Sequence, residues 1–263
     1  LKVGKKPNLI QIVLVLSTFL LTCSYFAAAN IEAAANIEVE AVLGFCTDYV
    51  WRGLVINDEA VLQPSVTITK PITEDGVLSF NVWGNFDLTD KVGMQYKFSE
   101  VDLTASYSHS FGSVGFEAGL IYYVFPHTNE NSTSEVFLSA GYETKEFPLS
   151  FSLTGYYDFK EINGFYGVLE IGSSINLADN LTLDLGLSAG YGDAAFNLGY
   201  FYVSGSSFVD CVISAKLIYE VSDSFYISGG LNYMYLLDSD LRYTASINKP
   251  DKITGSLSVI YTF

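Results

Sequence analysis

The sequence predicts an all-β fold: a transmembrane, antiparallel, up-and-down β-barrel of about twelve strands, preceded by a cleaved N-terminal signal peptide. Three observations carry that expectation. Apolar residues recur at alternate positions through most of the chain. The alternating segments run to roughly ten or more residues, where strands of water-soluble sheets average five or six. The connectors between them fall into a long set and a short set, as they do in outer-membrane barrels.

Composition frames the same conclusion. The 263 residues are 49% hydrophobic and 15% aromatic, yet carry 29 acidic against 13 basic residues, a net charge of −16. So many aromatic and branched residues exclude a disordered chain. The one long apolar run, Leu9–Leu21, is shorter than the roughly 20 residues a spanning helix needs. The acidic balance opposes nucleic acid as a partner, because a phosphate backbone would repel it. The hydrophobic content must therefore be distributed over strands.

The chain begins with an address. Lys2, Lys5 and Lys6 precede the apolar stretch Ile12–Leu16 and Phe19–Leu21, and small residues follow at Ala27–Ala29. This is the order of a secretory signal peptide, with cleavage expected after Ala29 or alternatively after Ala35. The expected division is thus a signal peptide over 1–29 and a barrel over 30–263. Removing 1–29 leaves 10 basic residues against 29 acidic, a net charge of −19.

Strands are expected at about 40–52, 60–69, 77–87, 100–110, 114–125, 135–144, 149–159, 164–177, 181–192, 207–220, 225–236 and 253–263. The ninth and twelfth show the pattern best. Leu181, Leu183, Leu185, Leu187 and Ala189 alternate with Thr182, Asp184, Gly186 and Ser188, and Ile253, Gly255, Leu257, Val259 and Tyr261 alternate with Thr254, Ser256 and Ser258. Alternate strand residues face opposite sides, so each segment has an apolar and a polar face. The polar faces carry Gly, Ser, Thr and Asn instead of the Lys and Glu that coat soluble proteins. Lipid cannot hydrogen-bond peptide groups, so a spanning sheet has to close on itself.

The connectors 53–59, 88–99, 126–134, 160–163, 193–206 and 237–252 are mostly long, and 70–76, 111–113, 145–148, 178–180 and 221–224 are mostly tight. This sorting places both termini on the periplasmic side of a bacterial outer membrane. Aromatic residues gather near strand ends, where girdles at the lipid–water interface lie. Tyr49, Trp51, Tyr122, Phe125, Tyr157, Phe159, Phe165, Tyr191 and Tyr235 are expected on the loop side, and Phe111, Phe147, Tyr219, Phe225 and Phe263 on the turn side. Cys46 and Cys211 lie on separated strands and are expected to be free thiols. The terminal Ser256–Phe263 segment, with Tyr261 and Phe263, looks like the signal read by the barrel-assembly machinery.

Gly44–Gly53, with Asp48, Tyr49, Arg52 and Gly53, resembles the opening of the bacterial Gcw_chp family, also called TorF-like porins, which typically begins Ser-Asp-Tyr-x-x-Arg-Gly. Val82–Asp87, Glu100–Leu103, Ile121–Pro126 and Ser134-Glu135 extend the resemblance over much of 43–192. Thr47 stands where Ser is usual. The resemblance implies a porin-like outer-membrane protein and leaves its cargo open.

With the apolar series facing lipid, the opposite face presents Asp48, Arg52, Asn81, Asn85, Asp87, Asp102 and Glu117. It continues through Glu135, Asp158, Glu170, Asp184, Asp210, Lys216 and Glu220. Carboxylate rings favour cations, so the expected function is passive diffusion of small solutes, cationic or neutral ones favoured over anions. The same carboxylates can equally serve to solvate the lumen or pair with Arg52 and Lys216. Arg52 has two readings: a constriction-zone cation facing carboxylates, or a buried ion pair that locks the end of the first strand, the second being favoured.

Two other classes compete. His109 and His127 are the only histidines, and His109-Ser110 is the only pair that starts a case for an outer-membrane hydrolase; no nucleophile pattern supports it. A non-conducting structural or surface-interaction barrel is the other. Loop 193–206 is unusually apolar (Phe196, Leu198, Tyr200, Val203) and reads as a lumenal plug, a partner contact or, most plainly, an extended hairpin beyond the membrane. Asp238 and Asp240 offer too few oxygen ligands for calcium. Nothing in the sequence calls for a cofactor. Expected partners are outer-membrane lipid, the barrel-assembly machinery and small solutes.

Overall fold

A computed structural model describes residues 37–144, 146–244 and 250–263. The expected signal peptide, with either cleavage point, lies outside the described residues. The alternating segments form β1 (Glu38–Cys46), β4 (Val61–Pro71), β5 (Gly76–Asp87), β6 (Lys97–Phe111), β7 (Val114–Val124) and β8 (Thr133–Glu143), then β9 (Leu149–Asp158), β10 (Phe165–Ala178), β11 (Leu181–Gly192), β12 (Ser207–Ser222), β13 (Phe225–Leu236) and β14 (Asp251–Thr262). These twelve strands make one closed barrel in which each pairs antiparallel with its chain neighbour. β1 closes the sheet against β14, with Glu40 opposite Thr262 and Cys46 opposite Ser256. Among the described residues every strand of this barrel is paired on both sides, the requirement lipid imposes.

Period-two patterning decides which way each side chain points. Leu120 pairs with Val136, Val136 with Tyr157 and Leu138 with Gly155, and Leu120, Val136, Leu138 and Tyr157 are all exposed on the outer wall. One residue further along each strand the register couples Asp102 with Tyr123, Ile121 with Glu135, and Glu135 with Asp158. Glu135 and Asp158 are each 2% exposed. The barrel is inverted relative to a soluble protein: apolar outside, polar within.

The connectors that follow β4, β6, β8, β10 and β12 are short and lie at one rim, and the longer ones lie at the other. Strand β1 begins and β14 ends at the short-turn rim, where Phe263 N donates to Val39 O at 2.9 Å. Of the aromatic residues expected at the girdles, Tyr122, Tyr157, Phe159, Phe165 and Tyr191 are exposed near the long-loop rim, and Phe111, Phe147 and Tyr219 near the other. Cys46 and Cys211 are free.

Two expectations are corrected. The first strand does not run to residue 52. It stops at Cys46, and the chain turns into a separate two-stranded ribbon, β2 (Tyr49–Trp51) and β3 (Leu54–Asn57). Tyr49 is therefore buried instead of sitting in an outer girdle, and Trp51 packs against a buried cluster. Segment 193–206 is not an extended hairpin; it holds the helix α1 (Ala194–Phe201). Asp193 caps the helix by accepting from Phe196 N at 2.8 Å, which satisfies one of its orphan amides. Phe196 and Phe201 bury on one side of it. The acidic pair at 238–240 has a similar local use. Asp238 caps the one-turn helix α2 (Ser239–Arg242) through Asp240 N and Leu241 N.

Candidate functional site

The interior site begins where β1 leaves the wall. Thr47 N donates to Gly255 O and Gly255 N donates to Thr47 Oγ1, both at 2.9 Å. Asp48, 5% exposed, forms an ion pair with Lys252 on β14. These contacts end the strand and aim the ribbon inward. At its tip Arg52 (φ 44°) and Gly53 (φ 83°) both have left-handed backbone, the two-residue turn whose twist matches a β-ribbon. A Cβ on Gly53 would stand 2.7 Å from Leu236 Cδ2 and 3.3 Å from Asp210 Cβ. Gly53→Val is expected to destabilise the barrel by roughly 2–4 kcal/mol, from the left-handed backbone plus overpacking. Urea unfolding followed by tryptophan fluorescence measures this; wild-type stability in that variant would rule out the packed tip.

The turn delivers Arg52 into the barrel. Its Nη1 and Nη2 donate to Glu135 Oε1 and Oε2 at 2.7 Å each, a bidentate pair across 83 residues of chain. Side-chain exposures of 9% and 3% make the pair buried. The guanidinium carbon lies 4.5 Å, 4.2 Å and 4.8 Å from the ring centres of Trp51, Tyr156 and Tyr166. A guanidinium is weakly hydrated and planar, so aromatic faces replace part of its water. Tyr123 adds a hydrogen bond to Glu135 Oε2 at 2.8 Å. The charge is thus held by both a fork and an aromatic box.

Further hydrogen bonds spread from this centre. Tyr49 donates to Glu100 Oε2, and Tyr166 to Asp210 Oδ1, each at 2.8 Å. Burial and the neighbouring Glu100 hold the Tyr49 hydroxyl well above its ordinary range, so it remains a donor. Helix α1 roofs the ribbon, with Tyr200 and Phe196 ring centres 4.9 Å and 6.2 Å from Trp51. Phe196 and Phe201 share a buried cluster with Tyr166, Val209, Met234 and Leu236.

The residues singled out by sequence fall into two zones. On the long-loop side Arg52 and Glu135 meet, with Asp102 close enough to feel both charges. Asp158 accepts from Thr133 at 2.6 Å, Asn57 donates to Asp87, and Asn85 donates to Ser99 Oγ at 2.9 Å. Toward the short turns the groups are looser. Asp184 and Lys216 make an ion pair at 3.6 Å, Glu170 accepts from Ser152 at 3.1 Å, and Asn81 donates to Thr67 at 2.8 Å. Glu117 sits opposite Ser108 and Ser139, and Glu220 opposite Tyr226, away from the centre. His109 and Ser110 occupy successive strand positions, so they point to opposite sides of the wall. His109 Nδ1 lies 3.1 Å from the Tyr107 hydroxyl.

Sequence reasoning missed Glu100, Trp83, Tyr123, Tyr156 and Tyr166. Each shares strand parity with a residue it did single out: Trp83 lies between Asn81 and Asn85, and Tyr156 two before Asp158. Counting parity without regard to polarity would have placed Tyr156 and Tyr166 on the inner face, though not Trp51, which the ribbon carries.

A family model, described as a bacterial protein of unknown function (Gcw_chp), matches residues 30–210. The chain belongs to the Gcw_chp family. The match contains the inward ribbon, Glu135, the aromatic box and α1, so the Gcw_chp stretch includes every partner of Arg52 described above. No curated protein matches the chain by sequence. Among solved structures, the COG4313 outer membrane channel from Pseudomonas putida F1 is 11% identical with a TM-score of 0.56, over 89% of this chain and 98% of that one. A NanC porin is 9% identical with a TM-score of 0.50, over 86% and 98%. At such identities the likeness concerns the fold: this Gcw_chp chain has the architecture of an outer-membrane barrel.

Proposed function

We propose that this protein is a porin-like channel of the bacterial outer membrane for passive diffusion of small solutes, with cationic or neutral solutes favoured over anions. The observation that carries the reading is a polar interior inside an apolar wall. On the short-turn side that interior holds a cavity of about 470 Å³ lined largely by Ser150, Ser152, Glu170, Ser188, Ser214 and Asn232. Small hydroxyl and amide side chains of this kind leave room for water. The acidic residues of the inner face, among them Glu117, Glu170 and Glu220, would repel anions on the way. In this reading the Arg52–Glu135 centre is the constriction, Tyr261 and Phe263 present the signal to the barrel-assembly machinery, and both termini are periplasmic.

A second reading, a barrel that conducts nothing, is favoured by one observation: the ribbon and α1 pack against each other at the long-loop mouth. Purified protein in planar bilayers under a KCl gradient separates the two. A reversal potential of the sign set by potassium is expected. Anion selectivity would sink the solute preference, and complete absence of conductance would sink the channel.

A further inference from the structure

A cavity of about 760 Å³ opens at the long-loop mouth, among the connectors 88–96, 125–132 and 159–164 and the far end of α1. Its walls contain the carboxylates of Asp87, Glu100, Glu130 and Glu161, and no Lys or Arg is among the described lining residues. Of the cations near this rim, Lys91 is turned to Asp58 at 3.5 Å, Lys160 donates to Ser132 O at 2.6 Å, and Lys97 stands opposite Asp87 in the strand register with its side chain outside the cavity lining.

Asp87 distinguishes this cavity from an ordinary acidic surface. The residue is 0% exposed, and Asn57 and Asn85 direct their amides to one oxygen, Oδ1. Its other oxygen, Oδ2, is buried and has no hydrogen-bond partner among the described residues. A buried carboxylate oxygen is costly without a donor or a cation beside it. Asp87 lines the cavity, so a complement can come from that side. Facing the carboxylates are apolar surfaces of Ile56, Met94, Phe125 and Tyr200. The rest of the lining is mostly polar, including Ser99, His127, Thr128, Asn129 and Asn131, so the cavity sets hydrogen-bonding groups beside an apolar wall, a combination that suits a small organic ligand.

We infer that this cavity is a binding site for a small organic amine, its ammonium donating to Asp87 and its apolar body resting on Phe125, Met94 and Tyr200. An ammonium supplies the donors that Oδ2 lacks, and the net negative lining excludes organic anions of the same shape. The apolar wall favours an amine over a bare inorganic cation, which would leave that surface wetted. The inference deepens the channel reading by naming a solute class held at the outer mouth.

Isothermal titration of the detergent-refolded full barrel with phenethylammonium, 2-phenylethanol and phenylacetate tests it. Saturable binding of the amine is expected, at least about tenfold tighter than the isosteric alcohol, in keeping with a charge-assisted hydrogen bond, with no binding of the acid. The comparison uses the wild-type protein, so it needs no variant to fold. Asp87→Asn, checked for folding by heat-modifiable gel mobility, is expected to weaken the amine about tenfold and leave the alcohol unchanged. Equal affinity for amine and alcohol overturns the site, as does displacement of the amine by calcium with no loss in Asp87→Asn. Binding abolished by about 150 mM KCl also overturns it, since that is the behaviour of a screened surface. Conductance without amine binding would refute this site alone, and amine binding without conductance would refute the channel alone.

Discussion

Arg52→Ala is expected to lower the unfolding free energy of the refolded barrel by about 3–5 kcal/mol, the typical cost of removing one partner from a buried ion pair. The variant leaves Glu135, 2% exposed, with only the Tyr123 hydroxyl as a hydrogen-bond partner among the described residues. It also empties the space between Trp51, Tyr156 and Tyr166. Replacing both partners with Met is expected to recover most of the loss, because burying neither charge avoids the desolvation cost. Urea unfolding in detergent micelles checks both variants. An Arg52→Ala barrel within about 1 kcal/mol of wild type would show that the pair contributes little.

Deleting residues 194–204 is expected to raise single-channel conductance several-fold. The deletion removes α1, and with it Phe196 and Phe201 from the buried cluster at the long-loop mouth. Trp51 would lose both aromatic neighbours on the helix, freeing the ribbon's outer side. Twelve strands enclose an interior between that of filled eight-stranded barrels and open sixteen-stranded porins. One helix across such a mouth is therefore a large part of its cross-section. Unchanged conductance, with the barrel still heat-modifiable on gels, would mean that α1 does not obstruct the path.

The fold was legible because the physics of a lipid-facing sheet is local. Leu120, Val136, Leu138 and Leu187 can be assigned to the outer wall from their strand parity alone, and the alternation of connector lengths follows from the order of segments. The inner face was legible for the same reason, down to Asp184 and Lys216, which pair directly across β11 and β12. Polarity was a poorer guide than parity. Tyr123, Tyr156 and Tyr166 lie on the inner face but were not distinguishable by residue type from the girdle aromatics Tyr122 and Tyr157.

What lies at the long-loop mouth was not legible. Residues 49–52 read as a continuation of the strand before them and 53–59 as a connector, and nothing local distinguishes that arrangement from a ribbon turned inward. The difference is made by Thr47 on Gly255 and Asp48 on Lys252, contacts more than 200 residues apart in the chain. Likewise Asp193 and the two alanines after it permit a helix, but the direction of α1 is fixed by Trp51, Tyr166 and Val209. The sequence by itself therefore determined a closed, twelve-stranded, outwardly apolar barrel, because strand parity is a property of neighbouring residues. Only the tertiary structure decided that Arg52 meets Glu135 inside an aromatic box beneath a helix, because buried charges are placed by partners that no local pattern can supply.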